Sequence, residues 1–175
     1  MKLTYKPLIN PSKEEMDLLQ NWRNDPKIKH LFSVHKNEDD LNTAINLKRL
    51  NDEYTRHKDT YRYLISLRNQ PIGEINYQCN PKHLIKSQEN TAWVGIVIGE
   101  SFARAKGVGT QAMKYLEEQI MSQKFDRIEL GVFEFNQPAL NLYLKSGYKE
   151  IGRIPKLTYW KGRLWDSIHL EKKLV

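Results

Sequence analysis

Ser101-Phe102-Ala103-Arg104-Ala105-Lys106-Gly107-Val108-Gly109 follows the apolar run Trp93-Val94-Gly95-Ile96-Val97-Ile98 and leads into apolar residues at Val108, Ala112, Tyr115 or Leu116, and Ile120. The first run has the look of a strand and the second has helical spacing, so the stretch reads as strand, glycine turn, helix. Gly107 and Gly109 allow tight backbone conformations and close approach to the main chain. The free N–H groups of the helix start, with the positive end of its dipole behind them and Arg104 and Lys106 beside them, predict an anion site suited to a pyrophosphate. On glycine spacing alone, an ordinary strand-to-helix turn is an equal reading.

Two familiar phosphate loops do not fit. A Walker loop places its lysine after the glycines, and here Lys106 precedes them. A dinucleotide fingerprint needs a third glycine at a spacing that nothing after Gly109 supplies. The pattern Arg104-x-x-Gly107-x-Gly109 instead resembles the acetyl-CoA pyrophosphate loop of the GNAT superfamily of N-acetyltransferases. The segment from Asn136 through Ala139 and Tyr143 to Gly147-Tyr148 resembles that superfamily's Asn-x-x-Ala-x-x-x-Tyr-x-x-x-Gly-Phe element, with Tyr148 in place of the phenylalanine. The likeness covers nearly the whole chain, strongest from Trp93 to Tyr148. Two further segments, Trp22 to Pro26 and Tyr159-x-x-Gly162-x-x-x-Asp166, are similar to the branch holding ribosomal-protein N-terminal and amino-sugar acetyltransferases.

The totals agree with one globular domain over residues 1–175, with 39% hydrophobic and 28% charged residues. No apolar run approaches the roughly 20 residues of a membrane helix, and the N-terminus lacks the apolar core of a secretory signal, so a cytoplasmic protein is expected. Cys79 is alone, and His30, His35, His57, His83 and His169 show no ligand spacing; no metal is expected. The net charge of +7 raises a nucleic-acid reading, but the basic residues are scattered among acids without a nucleic-acid-binding signature. The balance suits polyphosphates and anionic acceptors better than polycations.

Along the chain, residues 3–9 suit a first strand. Ser12 to Glu15 has the form of a capping box ahead of Met16, Leu19 and Trp22, which predicts a helix over 13–24. Asn37 with three acids after it predicts a second helix running to Tyr54. Strands at 61–67 and 72–77 form a hairpin around Arg68 to Pro71, and residues 78–90 make a polar loop. A strand over 127–133, a short helix from Pro138 to Gly147 and a closing hairpin complete the chain. The order predicts a mixed sheet flanked by helices. The resemblance implies the α+β GNAT fold, whose central sheet is mostly antiparallel.

For function, the resemblance implies an acetyl-CoA-dependent N-acetyltransferase acting on a primary amine, by direct transfer in a ternary complex. The cofactor would be held by main-chain N–H groups near Ile96, Val97 and Ile98, by Arg104, Lys106, Gly107, Val108, Gly109 and Thr110 in the loop, and by Asn136 and Tyr143. Tyr143 would also donate a proton to the departing thiolate; packing for Tyr143 and capping for Asn136 are the plainer readings. Trp22, Arg23, Asn24 and Phe32 become acceptor-side residues by resemblance, although Trp22 and Phe32 at helical spacing also suit a core. The base is open among Glu74, Glu100 and Glu134, with Glu74 placed first. No Ser-His-Asp or Cys-His set supports an acyl-enzyme. A non-catalytic CoA-binding sensor or interaction module is the competing expectation, and pairing of exposed edges makes a homodimer the expected assembly.

Overall fold

The computed structural model describes residues 2–56 and 58–174. The elements are β1 (Leu3–Pro7), α1 (Lys13–Asn24), α2 (Glu38–Asn42), α3 (Leu47–Arg56), β2 (Thr60–Leu67), β3 (Gln70–Cys79), β4 (Thr91–Ile98), α4 (Val108–Ser122), β5 (Arg127–Phe133), α5 (Gln137–Lys145), β6 (Lys149–Trp160) and β7 (Arg163–Lys173). Seven strands form one sheet in the order β1-β2-β3-β4-β5-β7-β6, antiparallel throughout except for β4 beside β5. The expected α+β architecture is thus present.

Strand alternation sends side chains to two faces, and each face has its own core. Ile75, Val94, Leu130, Ile168 and their neighbours meet α4 and α5 on the first face. On the second, Leu64 joins Met16, Leu19 and Trp22 of α1 and Leu50 of α3. Among the described residues, no helix is long and apolar enough to cross a membrane.

Local chemistry sets most boundaries. The capping box at Ser12 is complete, with Glu15 N–H donating to Ser12 Oγ and Ser12 N–H to Glu15 Oε2. The hairpin between β2 and β3 turns through Arg68 and Asn69, both at positive φ, so β3 begins two residues earlier than the sequence suggests. The single helix expected from Asn37 to Tyr54 is instead two. Asn24 breaks it: its Nδ2–H donates to Ile45 O and its Oδ1 accepts from Ile45 N–H, each at 2.8 Å. Those bonds take the backbone groups that a continuous helix would use internally.

Gly99, just past β4, lies directly under the Trp22 indole; a Cβ there would stand 2.3 Å from two ring carbons. We expect Gly99→Ala to lower stability by about 1–3 kcal/mol through overpacking, read as a fall in denaturant midpoint at unchanged slope.

Candidate functional site

β4 and β5 pair only from Thr91–Trp93 to Arg127–Glu129, although β4 runs on to Ile98 and β5 to Phe133. The strands therefore part beyond Trp93, opening a V in the middle of the sheet. β4 stays paired with β3 as far as Ile98, so its β5-facing edge along Ile96, Val97 and Ile98 offers backbone groups without a strand partner.

The glycine turn closes the top of the V. Ala105 and Gly107 have φ of +57 and +76, and among the described residues no amide from 105 to 110 donates to a backbone carbonyl. Left-handed residues alternating at the start of α4 turn such amides into an anion-binding concavity. Gly107 is exposed and a Cβ would meet nothing within 4 Å, so glycine serves the conformation there. At Gly109 a Cβ would stand 2.5 Å from Leu142 Cδ1, so glycine lets α5 close on α4. Lys106 and Thr110 are exposed and Val108 is core. Arg104 turns back from the loop: its Nε–H donates to Ile98 O at 3.0 Å and an NH2 hydrogen to Gly99 O at 2.6 Å. It fixes the end of β4 as well as lending charge.

Tyr143, on α5 beside the Leu142 contact, is buried on the first face and meets Tyr148 edge-on with ring centroids 5.9 Å apart. Its hydroxyl makes no hydrogen bond among the described residues, yet it is not among the sealed, unpartnered polar atoms. Burial pushes its phenol above the ordinary value, keeping the proton on oxygen. Asn136 caps α5 with Oδ1 accepting from Ala139 N–H at 3.4 Å, and among the described residues its Nδ2 donors have no partner. The free amides, the open β4 edge and this hydroxyl fit an extended thioester cofactor ending in phosphates.

The residues expected on the acceptor side make contacts within the protein itself. Trp22 is 5% exposed and its Nε1–H donates to Glu100 Oε1 at 2.9 Å. Asn24 holds Ile45, as described. Phe32 is half-buried against the second core, with the Arg23 guanidinium 5.5 Å from its ring centre. Arg23 also lies 3.3 Å from Glu53 and 3.8 Å from Glu74. Although burial opposes its charge, these carboxylates raise its already high pKa. The loop after α1 is stitched to β6, His35 N–H donating to Thr158 Oγ1 and Tyr159 N–H to His35 O. The His30 ring stacks on Trp160, and the Phe135 ring meets Trp160 at a tilt, with centroids 4.5 Å apart in each pair.

Glu74 is 2% exposed, and both oxygens are engaged: Oε1 accepts from Arg62 at 2.9 Å and Oε2 from the Tyr54 hydroxyl at 2.5 Å. Burial, then the Glu74 charge, push the Tyr54 phenol upward. Glu100 holds Trp22, and Glu134 lies 3.8 Å from Arg153. Sequence reading missed Arg62, Tyr54 and Glu53 as a cluster because they come from two elements. It also missed Arg127, Glu129 and His169, a second buried polar group. Among the described residues, no three His, Cys, Asp or Glu side chains are grouped to hold a metal.

The profile of the acetyltransferase (GNAT) family matches residues 15–148. The N-acetyltransferase 9-like protein of Caenorhabditis briggsae is 26% identical over 144 residues, 79% of this chain and 58% of its own length. The chain thus spans little more than half of that relative. In three dimensions it is similar to spermidine N-acetyltransferase from Vibrio cholerae in complex with CoA and spermine, with a TM-score of 0.77 at 18% identity, covering 98% of this chain and 95% of that one. It is also similar to an N-acetyltransferase from Staphylococcus aureus Mu50, with a TM-score of 0.77 at 14% identity over the full length of both. For ribosomal-protein-alanine N-acetyltransferase from Brucella melitensis the TM-score is 0.74 at 16% identity, covering 99% and 100%. At these identities the structures attest the fold.

We expect Glu74→Gln to cost about 3–5 kcal/mol with no ligand present, because it leaves two largely buried arginines, Arg23 and Arg62, short of a counter-charge. Chemical denaturation reads this directly. A variant as stable as the parent would show Glu74 free for other work.

Proposed function

We propose, for a chain that belongs to the acetyltransferase (GNAT) family, that it transfers the acetyl group of acetyl-CoA directly to a primary amine, acting as one domain over residues 1–175. The observation that carries this reading is the joining of three features at one opening: unpaired amides at the start of α4, the unpartnered edge of β4, and the free Tyr143 hydroxyl. Acetyl-CoA, when bound, supplies an activated acetyl group on a thioester. The amides of residues 105–110 and Lys106 hold its phosphates, and the edge at Ile96 to Ile98 orients its arm, with one N–H polarising the carbonyl. Asn136 Nδ2 is free to donate to the same arm. Tyr143 holds a proton for the sulfur that leaves, and its raised pKa suits a donor.

The acceptor enters from the opposite face, between the loop after α1 and the β6–β7 hairpin. An amino sugar carried on a phosphate or nucleotide, and a protein N-terminus, are the two acceptor classes proposed. The charge of +7 favours the anionic small molecule. We further propose a cytoplasmic enzyme that pairs with a second copy through an exposed sheet edge.

Calorimetric titration with acetyl-CoA is expected to show binding by the parent and none by Gly107→Trp, whose indole obstructs the turn; no binding by the parent overturns the proposal. Tyr143→Phe is expected to keep acetyl-CoA affinity and to lose about 100-fold in kcat, the scale of general-acid catalysis. A full-rate phenylalanine variant would remove Tyr143 from the chemistry. An amino-sugar phosphate assayed beside peptides with free N-termini decides the acceptor class, and turnover of the peptides alone overturns the anionic choice.

A further inference from the structure

His169 lies on β7 with its side chain on the second, acceptor-side face, since its neighbours Ile168 and Leu170 fill the first core. Its register partners are both glycines, Gly131 on β5 and Gly152 on β6. The space the two glycines leave beside the imidazole is taken by Trp93 over Gly131 and by Ile85 over Gly152, and His169 is 3% exposed. Gly131 is the first acceptor-side position of β5 beyond the last β4–β5 pair, Trp93 with Glu129. The imidazole thus stands beside the point where the V begins to open. The Trp93 ring lies over Gly131, 5.3 Å from the His169 ring centre.

The two ring nitrogens differ. Nδ1 is sealed, 3.5 Å from Glu129 Oε1, and is the one buried side-chain polar atom left without a hydrogen bond among the described residues. A lone pair on Nδ1 would face the lone pairs of a fully buried carboxylate, so electrostatics places the proton there. Nε2 then carries the lone pair; it makes no hydrogen bond among the described residues and is not among the sealed atoms. Glu129 is itself fixed, accepting from Arg127 at 2.7 Å and from Ile85 N–H at 2.7 Å. A carboxylate, an imidazole and an unpaired Nε2 in that order are the parts of a general base.

We propose that His169, oriented by Glu129, is the base that removes a proton from the acceptor amine, directly or through one water. The proposal rests on the acetyl-transfer reading above. The acceptor ammonium gives one proton to Nε2, and the imidazolium tightens its Nδ1–H onto Glu129. The neutral amine nitrogen then forms a bond to the acetyl carbon, the C–S bond breaks, and the thiolate takes the Tyr143 proton. The proton still on the new amide nitrogen leaves through water and restores Tyr143, while His169 returns its own to solvent, one proton net per turnover. Base and acid thus lie on opposite faces of the sheet, joined only through the V.

The titratable groups that face the ring are Glu129 from β5 and His83 from the loop over it; Glu129 is held by Arg127, which also bonds Glu171 of β7, itself paired with Lys86, while β4 and β6 present Trp93 and Gly152. His83 is held low first by burial and next by His169. The test begins on the unliganded protein: nitrogen NMR of the imidazoles is expected to show His169 as the Nδ1–H tautomer, and an Nε2–H tautomer would overturn the proposal. His169→Gln is then compared with the parent in acetyl-CoA calorimetry and in turnover of an amino-sugar phosphate, a free-N-terminus peptide and spermidine. Unchanged cofactor binding is expected, with a roughly 100-fold fall in kcat/KM for the acceptor at neutral pH. The variant rate should keep climbing with pH as free amine accumulates, where the parent levels off. A variant that turns over like the parent with the same pH profile removes His169 and leaves acetyl transfer standing. A parent that neither binds acetyl-CoA nor acetylates any probe takes both proposals down together.

Discussion

The opening in the sheet depends on one buried side chain at its closed end. Arg127 donates to Thr91 Oγ1 on β4 at 3.1 Å, to Glu129 on its own strand at 2.7 Å and to Glu171 on β7 at 2.8 Å. It is 2% exposed, and its partners satisfy the charge that burial would otherwise penalise. Three strands are cross-linked at the level where β4 and β5 are still paired. Above that level no backbone pairing joins the two among the described residues, and each strand can follow its own twist. Replacing such a cluster with apolar side chains could match its stability; it would not define the same branch point, because dispersion contacts lack direction and hydrogen bonds have it.

The open end is built from different means. Arg104 ties the last carbonyls of β4, Gly99 admits the Trp22 ring, and Trp22 in turn reaches Glu100. These contacts hold the strand end against α1 while leaving its other edge unpaired. The glycine turn then starts α4 at a fixed distance from that edge, and the Leu142 contact at Gly109 brings α5, with Tyr143, to the same place. Residues that look like ligand contacts in the sequence therefore act first as a frame. Arg104 and Asn24 show this most clearly, since their polar groups are hydrogen-bonded to nearby backbone.

Much of this was legible in the sequence for a plain reason: turns and caps are local chemistry. The glycine turn, the capping box at Ser12 and the Asn136 cap all fall where their residue types predict. Tertiary override explains the failures. Nothing local to Asn37–Tyr54 signals that Asn24, from another helix, takes the backbone groups of Ile45. Alternation in β5 separates Ile128, Leu130 and Val132 from Arg127 and Glu129, a polar set whose residue types suit a solvent side. A loop read only as polar covers them: Ile85 N–H donates to Glu129, and Leu84 and Pro81 are buried. Periodicity identifies two faces of a strand, and it does not say whether the polar one is wet.

Amide formation from an ammonium needs a proton removed near the nitrogen and another supplied near the sulfur. In bulk water, one buffer serves both ends. Inside a protein a single residue placed between them would face both leaving groups and match neither, because an efficient base holds its proton weakly and an efficient acid for a thiolate starts protonated. A closed sheet would separate the two groups but block the transfer between them. A sheet that parts at Trp93 and Glu129 would do both, placing the carboxylate-backed imidazole on one face and the buried phenol on the other. The environments follow from the sheet: one face sets the imidazole against Glu129, itself held by Arg127, whereas burial in the apolar core raises the pKa of Tyr143 and keeps it neutral. Strand divergence, set by Arg127, is thus the feature from which the proposed division of acid and base follows.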